Sequence, residues 1–190
     1  MGVYATFPDS KRYRAQTDTF DTNPLLGGLL PVGDPIDKTA GGYLAYAGLQ
    51  YTRPIVGLRP ASPPNTASFG LLSLTVLSTS PKWFPINSTI ISFDQKSIFY
   101  GCVQRTGDAQ LTSLAVTCTI QAVGRKRNGN SVVQELVYEP KLLNLPAPMQ
   151  KMNFAPEFTD LIRVDVQLVQ AAATSLTVVF FDNNTYVAHF

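Results

Sequence analysis

Apolar residues in this chain recur at every second position, not at every third or fourth. Over residues 161–168, Ile162, Val164, Val166 and Leu168 alternate with Arg163, Asp165 and Gln167. That is the pattern of a strand with one face on a core and the other in water. Leu114, Val116, Cys118, Ile120 and Ala122 alternate with Thr117, Thr119 and Gln121 in the same way. Residues 175–182 are apolar on both faces, as a strand covered on both sides must be. Shorter strands are expected over 18–22, 48–53, 72–78, 89–93, 97–103, 132–138 and 150–154. Turn clusters divide them at Thr106-Gly107-Asp108, Asn128-Gly129-Asn130, Ala147-Pro148 and Asn183-Asn184. No stretch combines helical periodicity with a cap. The expectation is an all-β, antiparallel two-sheet β-sandwich of about nine or ten strands.

Composition limits the setting of that fold. With 45% hydrophobic and 15% charged residues in 190, the chain is long enough to bury a core without a metal. Fifteen Lys+Arg against 13 Asp+Glu leave a net charge of +2, which gives no basic face for nucleic acid. The Arg125-Lys126-Arg127 run reads as a solvated hairpin tip. No apolar run reaches the ~18 residues of a membrane span, so membrane insertion is not expected. Residues 17–190 read as a single domain. Residues 1–16, with Lys11, Arg12 and Arg14, read as a mobile polar arm, and Pro54, Pro60, Pro63 and Pro64 read as a long surface loop linking the sheets. The start Met1-Gly2-Val3-Tyr4 has no charged-then-apolar leader. Few Lys and Glu, two cysteines, and sequons at Asn87 and Asn183 favour a secreted, extracellular protein in a mature form that lacks its leader.

Cys102 and Cys118 fall in adjacent expected strands, where directly opposed residues come within disulfide reach. A structural disulfide is the expectation. The other readings are two buried free thiols or a catalytic thiol, for which His189 is the only imidazole base. Asp182 shares strand parity with Leu176, Val178 and Phe180, so its carboxylate points inward and must be paired, hydrogen-bonded or bound to a cation. Trp83, the one tryptophan, stands in the Pro-bracketed loop Pro81-Lys82-Trp83-Phe84-Pro85, and with Tyr43, Tyr46 and Tyr51 could form a stacking platform for sugar rings. The competing reading has Trp83 and Phe84 plugging the end of the sandwich and the tyrosines packing within sheets. No catalytic residue is assigned. Glu135 and Glu139 lie ~13 Å apart along an extended strand, too far for a retaining glycosidase pair and more consistent with solvated positions. No Gly-x-Ser-x-Gly, phosphate loop, dinucleotide fingerprint or zinc spacing occurs.

The order of landmarks carries a resemblance. Thr19-Phe20-Asp21 is followed by Tyr46-Ala47-Gly48-Leu49-Gln50-Tyr51, a Pro-rich loop, and Phe93-Asp94-Gln95-Lys96-Ser97-Ile98-Phe99-Tyr100-Gly101-Cys102. Then come Cys118-Thr119-Ile120, Gly124, Phe154 to Phe158, and a closing Phe181-Asp182-Asn183-Asn184-Thr185-Tyr186. Over residues 17–190 this resembles small secreted fungal proteins of largely unknown function, some treated as candidate host-interaction effectors. More distantly, it is similar to jelly-roll carbohydrate-binding modules. The closing motif departs from the usual pattern, with Phe181 and Asn184 where aliphatic residues stand. The resemblance implies a jelly-roll sandwich and secretion, and no activity. It also implies a structural Ca²⁺ shared by an N-terminal acidic residue and a C-terminal Asp, here Asp21 and Asp182. The leading expectation is a secreted, non-catalytic module that binds an extracellular glycan or host protein. The alternatives are an effector or structural protein acting by protein–protein contact without a sugar site, and a polysaccharide-active enzyme.

Overall fold

The computed structural model describes residues 12–21, 36, 39, 42–52, 57–70, 80–105, 113–141, 145–171 and 177–190. These residues form fourteen strands and no helix: β1 (Tyr13–Asp18), β2 (Leu44–Ala47), β3 (Gln50–Thr52), β4 (Leu58–Arg59), β5 (Thr66–Phe69), β6 (Lys82–Pro85), β7 (Ser92–Arg105), β8 (Ser113–Ala115), β9 (Cys118–Lys126), β10 (Ser131–Tyr138), β11 (Ala147–Pro148), β12 (Gln150–Asn153), β13 (Leu161–Ala171) and β14 (Thr177–His189).

They build the expected antiparallel sandwich. One layer runs β2-β6-β13-β9-β10. The other is built on the β7–β14 pair, with β12 and β8 along β7 and with β1 and β5 along β14; β3 lies beyond β5. Leu161↔Phe93 is the register pair that joins the layers, and a short parallel β4–β11 pair stands apart. The inner faces meet through aromatic rings, Trp83 against Phe181 at 6.0 Å and Tyr100 against Tyr138 at 5.8 Å between centroids. Burying each such side chain is worth roughly 1.5–3 kcal/mol.

The period-two pattern is met closely in β9 and β10. These strands are joined by the Asn128-Gly129 turn, whose Gly129 takes φ +86, a conformation that costs glycine no steric strain. Elsewhere the boundaries move. The two strands expected over 89–93 and 97–103 are one continuous strand, β7, because β14 offers an equally long antiparallel partner. The first strand is β1, which takes in residues 13–16 of the expected polar arm and zips onto β14 from Tyr13↔His189 to Asp18↔Asn184. Residues 1–11 and the strand expected over 72–78 lie outside the described residues.

Cys102 and Cys118 form the disulfide, with a Cα–Cα distance of 6.2 Å. They are not opposed partners in one ladder, as the sequence suggested. The segment expected as one strand over 114–122 breaks at Val116-Thr117 into β8 and β9. It is β8 that pairs with β7, so the sulphur bridge ties β7 of one layer to the start of β9 in the other.

Candidate functional site

The aromatic platform does not form. Trp83 lies in strand β6 rather than in a loop, and it is only 1% exposed. The prolines at 81 and 85 bracket that strand, positions where a missing N–H is tolerated. Tyr46 and Tyr51 are buried as well. Trp83 and Tyr46 do meet, with ring centroids 6.3 Å apart, but inside the sandwich. Tyr51 sits in β3 of the other layer. Tyr43, half-buried, accepts from Arg14 Nη1 at 3.2 Å and packs edge-on against Phe190. None of the three buried rings offers a face to a sugar.

These aromatics instead hold a buried polar chain that the sequence did not reveal. Trp83 Nε1 donates to Gln95 Oε1 (2.9 Å), Gln95 Nε2 to Asn184 Oδ1 (2.6 Å), and Asn184 Nδ2 to the Tyr46 hydroxyl (2.9 Å). Tyr46 and Tyr186 both donate to Asp18 Oδ2, at 2.7 and 3.1 Å. Asp18 is 1% exposed. Burial raises its pKa above the usual carboxylate value, against the opposing hydrogen bonds from Tyr46, Thr39, Gln16 and Tyr186. Gly42 closes over it so tightly that a Cβ there would lie 2.8 Å from Asp18 Oδ1. With both hydroxyls satisfied and no opening, this chain fixes the register of β1, β2, β7 and β14 rather than binding a ligand.

Asp182 is buried, but not between the layers: it lies on the face of β14 opposite Phe181, where Ser62 of the Pro-rich loop covers it. It accepts from the Ser62 backbone N–H (2.6 Å), Ser62 Oγ (2.8 Å) and the Asn183 N–H (2.8 Å). Asp21 lies nearby and accepts from the Asn65 N–H at 3.1 Å. Asp182 thus pins the Pro-rich loop to β14, and Asp21 pins it to the segment after β1. Burial pushes the Asp182 pKa up to about 6, the charge of Asp21 adds to the rise, and the Ser62 and Asn183 donors oppose it. A Ca²⁺ site needs six or more oxygens converging on the ion, whereas N–H donors occupy Asp182 here. This donor set does not fit Ca²⁺, and no group of three or more His, Cys, Asp or Glu that could hold a metal occurs among the described residues.

The two sequons differ. Asn87 is exposed, and its Oδ1 accepts from Thr89 N (3.0 Å) and Thr89 Oγ1 (2.6 Å), a local Asx turn. Asn183 is a left-handed bulge residue in β14, φ 45, and its Oδ1 accepts from Ser62 Oγ at 3.0 Å.

One row has the elements of a hydrolytic triad. Because Ser92 pairs with His189 across β7 and β14, Ser92 Oγ stands 3.1 Å from His189 Nδ1, and His189 Nε2 stands 3.2 Å from Asp94 Oδ1. Ser92 is 1% exposed, so no substrate reaches it, and Asp94 is shared with Lys96 Nζ and the Asp160 N–H. A depression of about 650 Å³ beside the disulfide is lined by Ala115, Val116, Val137, Pro140 and Ala171 among others, with no titratable acid or base.

Among the described residues, the outer face of the β2-β6-β13-β9-β10 layer carries exposed polar side chains. Strand parity sends Trp83, Val164, Gly124 and Val132 inward and their sequence neighbours outward. Across the strands, Lys82, Asp165, Val123 and Val133 form one outward row. Arg163, Arg125 and Ser131 form the next on one side, and Gln167, Gln121 and Glu135 the next on the other. The side chains hold each other: Arg125 Nε and Arg163 Nε both donate to Asp165 Oδ2 at 3.0 Å, and Gln167 Nε2 donates to Gln121 Oε1 at 2.9 Å. The sequence showed Arg163, Asp165, Gln167 and Gln121 as polar alternates in their strands; Arg125, expected in a hairpin tip, lies instead within β9. Only the pairing of β9 with β13 gathered them.

No family model matches the chain, and no curated protein matches it. Among solved structures it is similar to an exo-β-agarase, with TM-score 0.39 and 10% identity over 79% of this chain and 23% of that one. It is also similar to an arabinose-bound α-L-arabinofuranosidase, with TM-score 0.30 and 10% identity over 84% of this chain and 25% of that one. The chain spans about a quarter of either enzyme (23% and 25%). A likeness of this size says nothing about chemistry.

Proposed function

We propose that this chain is a secreted, non-catalytic module that binds an extracellular glycan on the outer face of its five-stranded layer. One observation carries the reading: an open sheet face bears guanidinium, carboxylate and amide groups that are already hydrogen-bonded to one another. Planar, bidentate groups of these kinds match vicinal sugar hydroxyls, and side chains fixed on rigid strands lose little entropy when a ligand arrives. The disulfide and the exposed Asn87 sequon support an oxidising, extracellular setting. The absence of catalysis is supported by the positions of the carboxylates. Asp21 and Asp182 are engaged with the loop backbone, and Asp165 is engaged by two arginines.

A polysaccharide array tests this. Specific retention is expected, weakened at least several-fold by Gln121→Ala with Gln167→Ala, with no release of reducing sugar from the retained polymer. Retention of nothing, retention indifferent to both substitutions, or sugar release would each overturn it. A second reading, a protein partner, is favoured by the valines of the edge strand β10, Val133 at 56% and Val137 at 47% exposure. It predicts that Val133→Asp abolishes binding to a host-surface extract while the array stays blank.

A further inference from the structure

We propose that the ligand of this face is an acidic polysaccharide built from uronic acids, and that Arg125 and Arg163 together receive one of its carboxylates. The inference rests on the glycan reading of the same face and adds the charge of the sugar.

Arg125 and Arg163 are directly opposed across β9 and β13. Like charges placed opposite each other in a sheet are destabilising, so stability alone does not explain the pair. The carboxylate between them meets only part of the cost. Both guanidiniums reach Asp165 Oδ2 through Nε, and neither makes a further hydrogen bond among the described residues. Their Nη groups are left to solvent on side chains 50% and 37% exposed. Lys82 stands opposite Asp165 on the other side of β13. Three cations on this face stand against two carboxylates, Asp165 and, at the end of the next row, Glu135, which leaves an excess of one positive charge.

A guanidinium fork is matched to a carboxylate by two parallel hydrogen bonds. Here two forks are held at a fixed spacing by a shared acid, so binding would not have to order them. Gln121 and Gln167 in the row beyond Asp165 supply amides for hydroxyls of the neighbouring sugars. A polymer that alternates hydroxyl-rich edges with regularly spaced carboxylates is complementary to both features. An acidic peptide matches only the first.

The test is titration calorimetry with three polymers: polygalacturonate, the same polymer fully methyl-esterified, and a neutral galactan. Each is run at low and high salt. Expected is binding of polygalacturonate that is lost on esterification, weakens as salt rises, and falls ~10-fold in Arg125→Gln and in Arg163→Gln, as loss of one charged hydrogen-bond pair implies. Arg125 is exposed and Arg163 half-buried, and unchanged melting temperatures are the check that the variants fold. Equal binding of the esterified or neutral polymer overturns the charge inference while leaving the glycan reading intact. So does stronger binding of a sulphated glycan or of poly-glutamate included as controls. Binding of no polymer overturns both.

Discussion

Asp182 is a carboxylate placed where ionisation is costly, and its role follows from that placement. Burial, with the charge of Asp21, raises its pKa from 3.8 to about 6. The folded value lies above the unfolded one, so the group contributes stability fully below about 3.8 and loses it as pH rises through about 6. A displacement of about two pH units corresponds to about 3 kcal/mol. The burial of Asp18 acts in the same direction. Thermal denaturation should therefore give a higher Tm at pH 5 than at pH 8, and Asp182→Asn should remove much of that difference. An undiminished difference in the variant would place its origin elsewhere. Asp18 also anchors two tyrosine hydroxyls in the core. Asp18→Ala orphans both, and a loss of ~2–4 kcal/mol is expected in denaturant titration. The burial of Asp182 could be read from the sequence, because its strand is apolar on both faces, but which cover it lies under could not. Asp18, Gln95 and Asn184 could not, because each is an ordinary polar residue until β1, β7 and β14 pair. Parity would have misplaced Asn184 on the face of Asp182; the bulge at Asn183 turns it to the face of Phe181, where it meets Gln95.

At the scale of elements, β10 and β13 stand close to where they were expected, whereas β9 begins four residues later and runs on through Arg125 and Lys126 of the expected hairpin tip. Elements whose character depends on a partner do not stand close to expectation. β1 is polar and exposed along most of its length, and it is a strand only because β14 extends far enough to pair with it. The Trp83 segment reads as a loop by its prolines, yet β2 and β13 flank it and make it a strand. That reassignment turns Trp83 inward and presents Lys82 outward. The disulfide is the converse case, with the right pair expected in the wrong geometry. It closes the chain between β7 and β9 across the two layers. Replacing both Cys102 and Cys118 by Ser should therefore cost ~3 kcal/mol in reversible unfolding, as expected for cross-linking a loop of this length. A cost near zero would mean that the layers are held by packing alone.

Over the described residues the molecule is a two-layer sandwich with a buried polar chain around Asp18 and a hydrogen-bonded set of polar side chains on one sheet face. Its proposed setting can be checked through the two sequons. Passed through a eukaryotic secretory route behind an added leader, the chain should carry a glycan on Asn87 and none on Asn183, read by mass after enzymatic deglycosylation. Asn87 lies free on a turn, whereas Asn183 is held in a bulge by Ser62. Occupancy of Asn183 would contradict that geometry. The sequence by itself determined the class of fold, the disulfide partners and the burial of Asp182, because strand period and the apolar run around it are local properties carried along the chain. Only the tertiary structure decided which strands are neighbours. That choice buried Trp83 and Tyr46, assembled the Asp18 chain, and brought Arg125, Arg163 and Asp165 onto one face, because cross-strand contacts join residues whose separation along the chain carries no period to read.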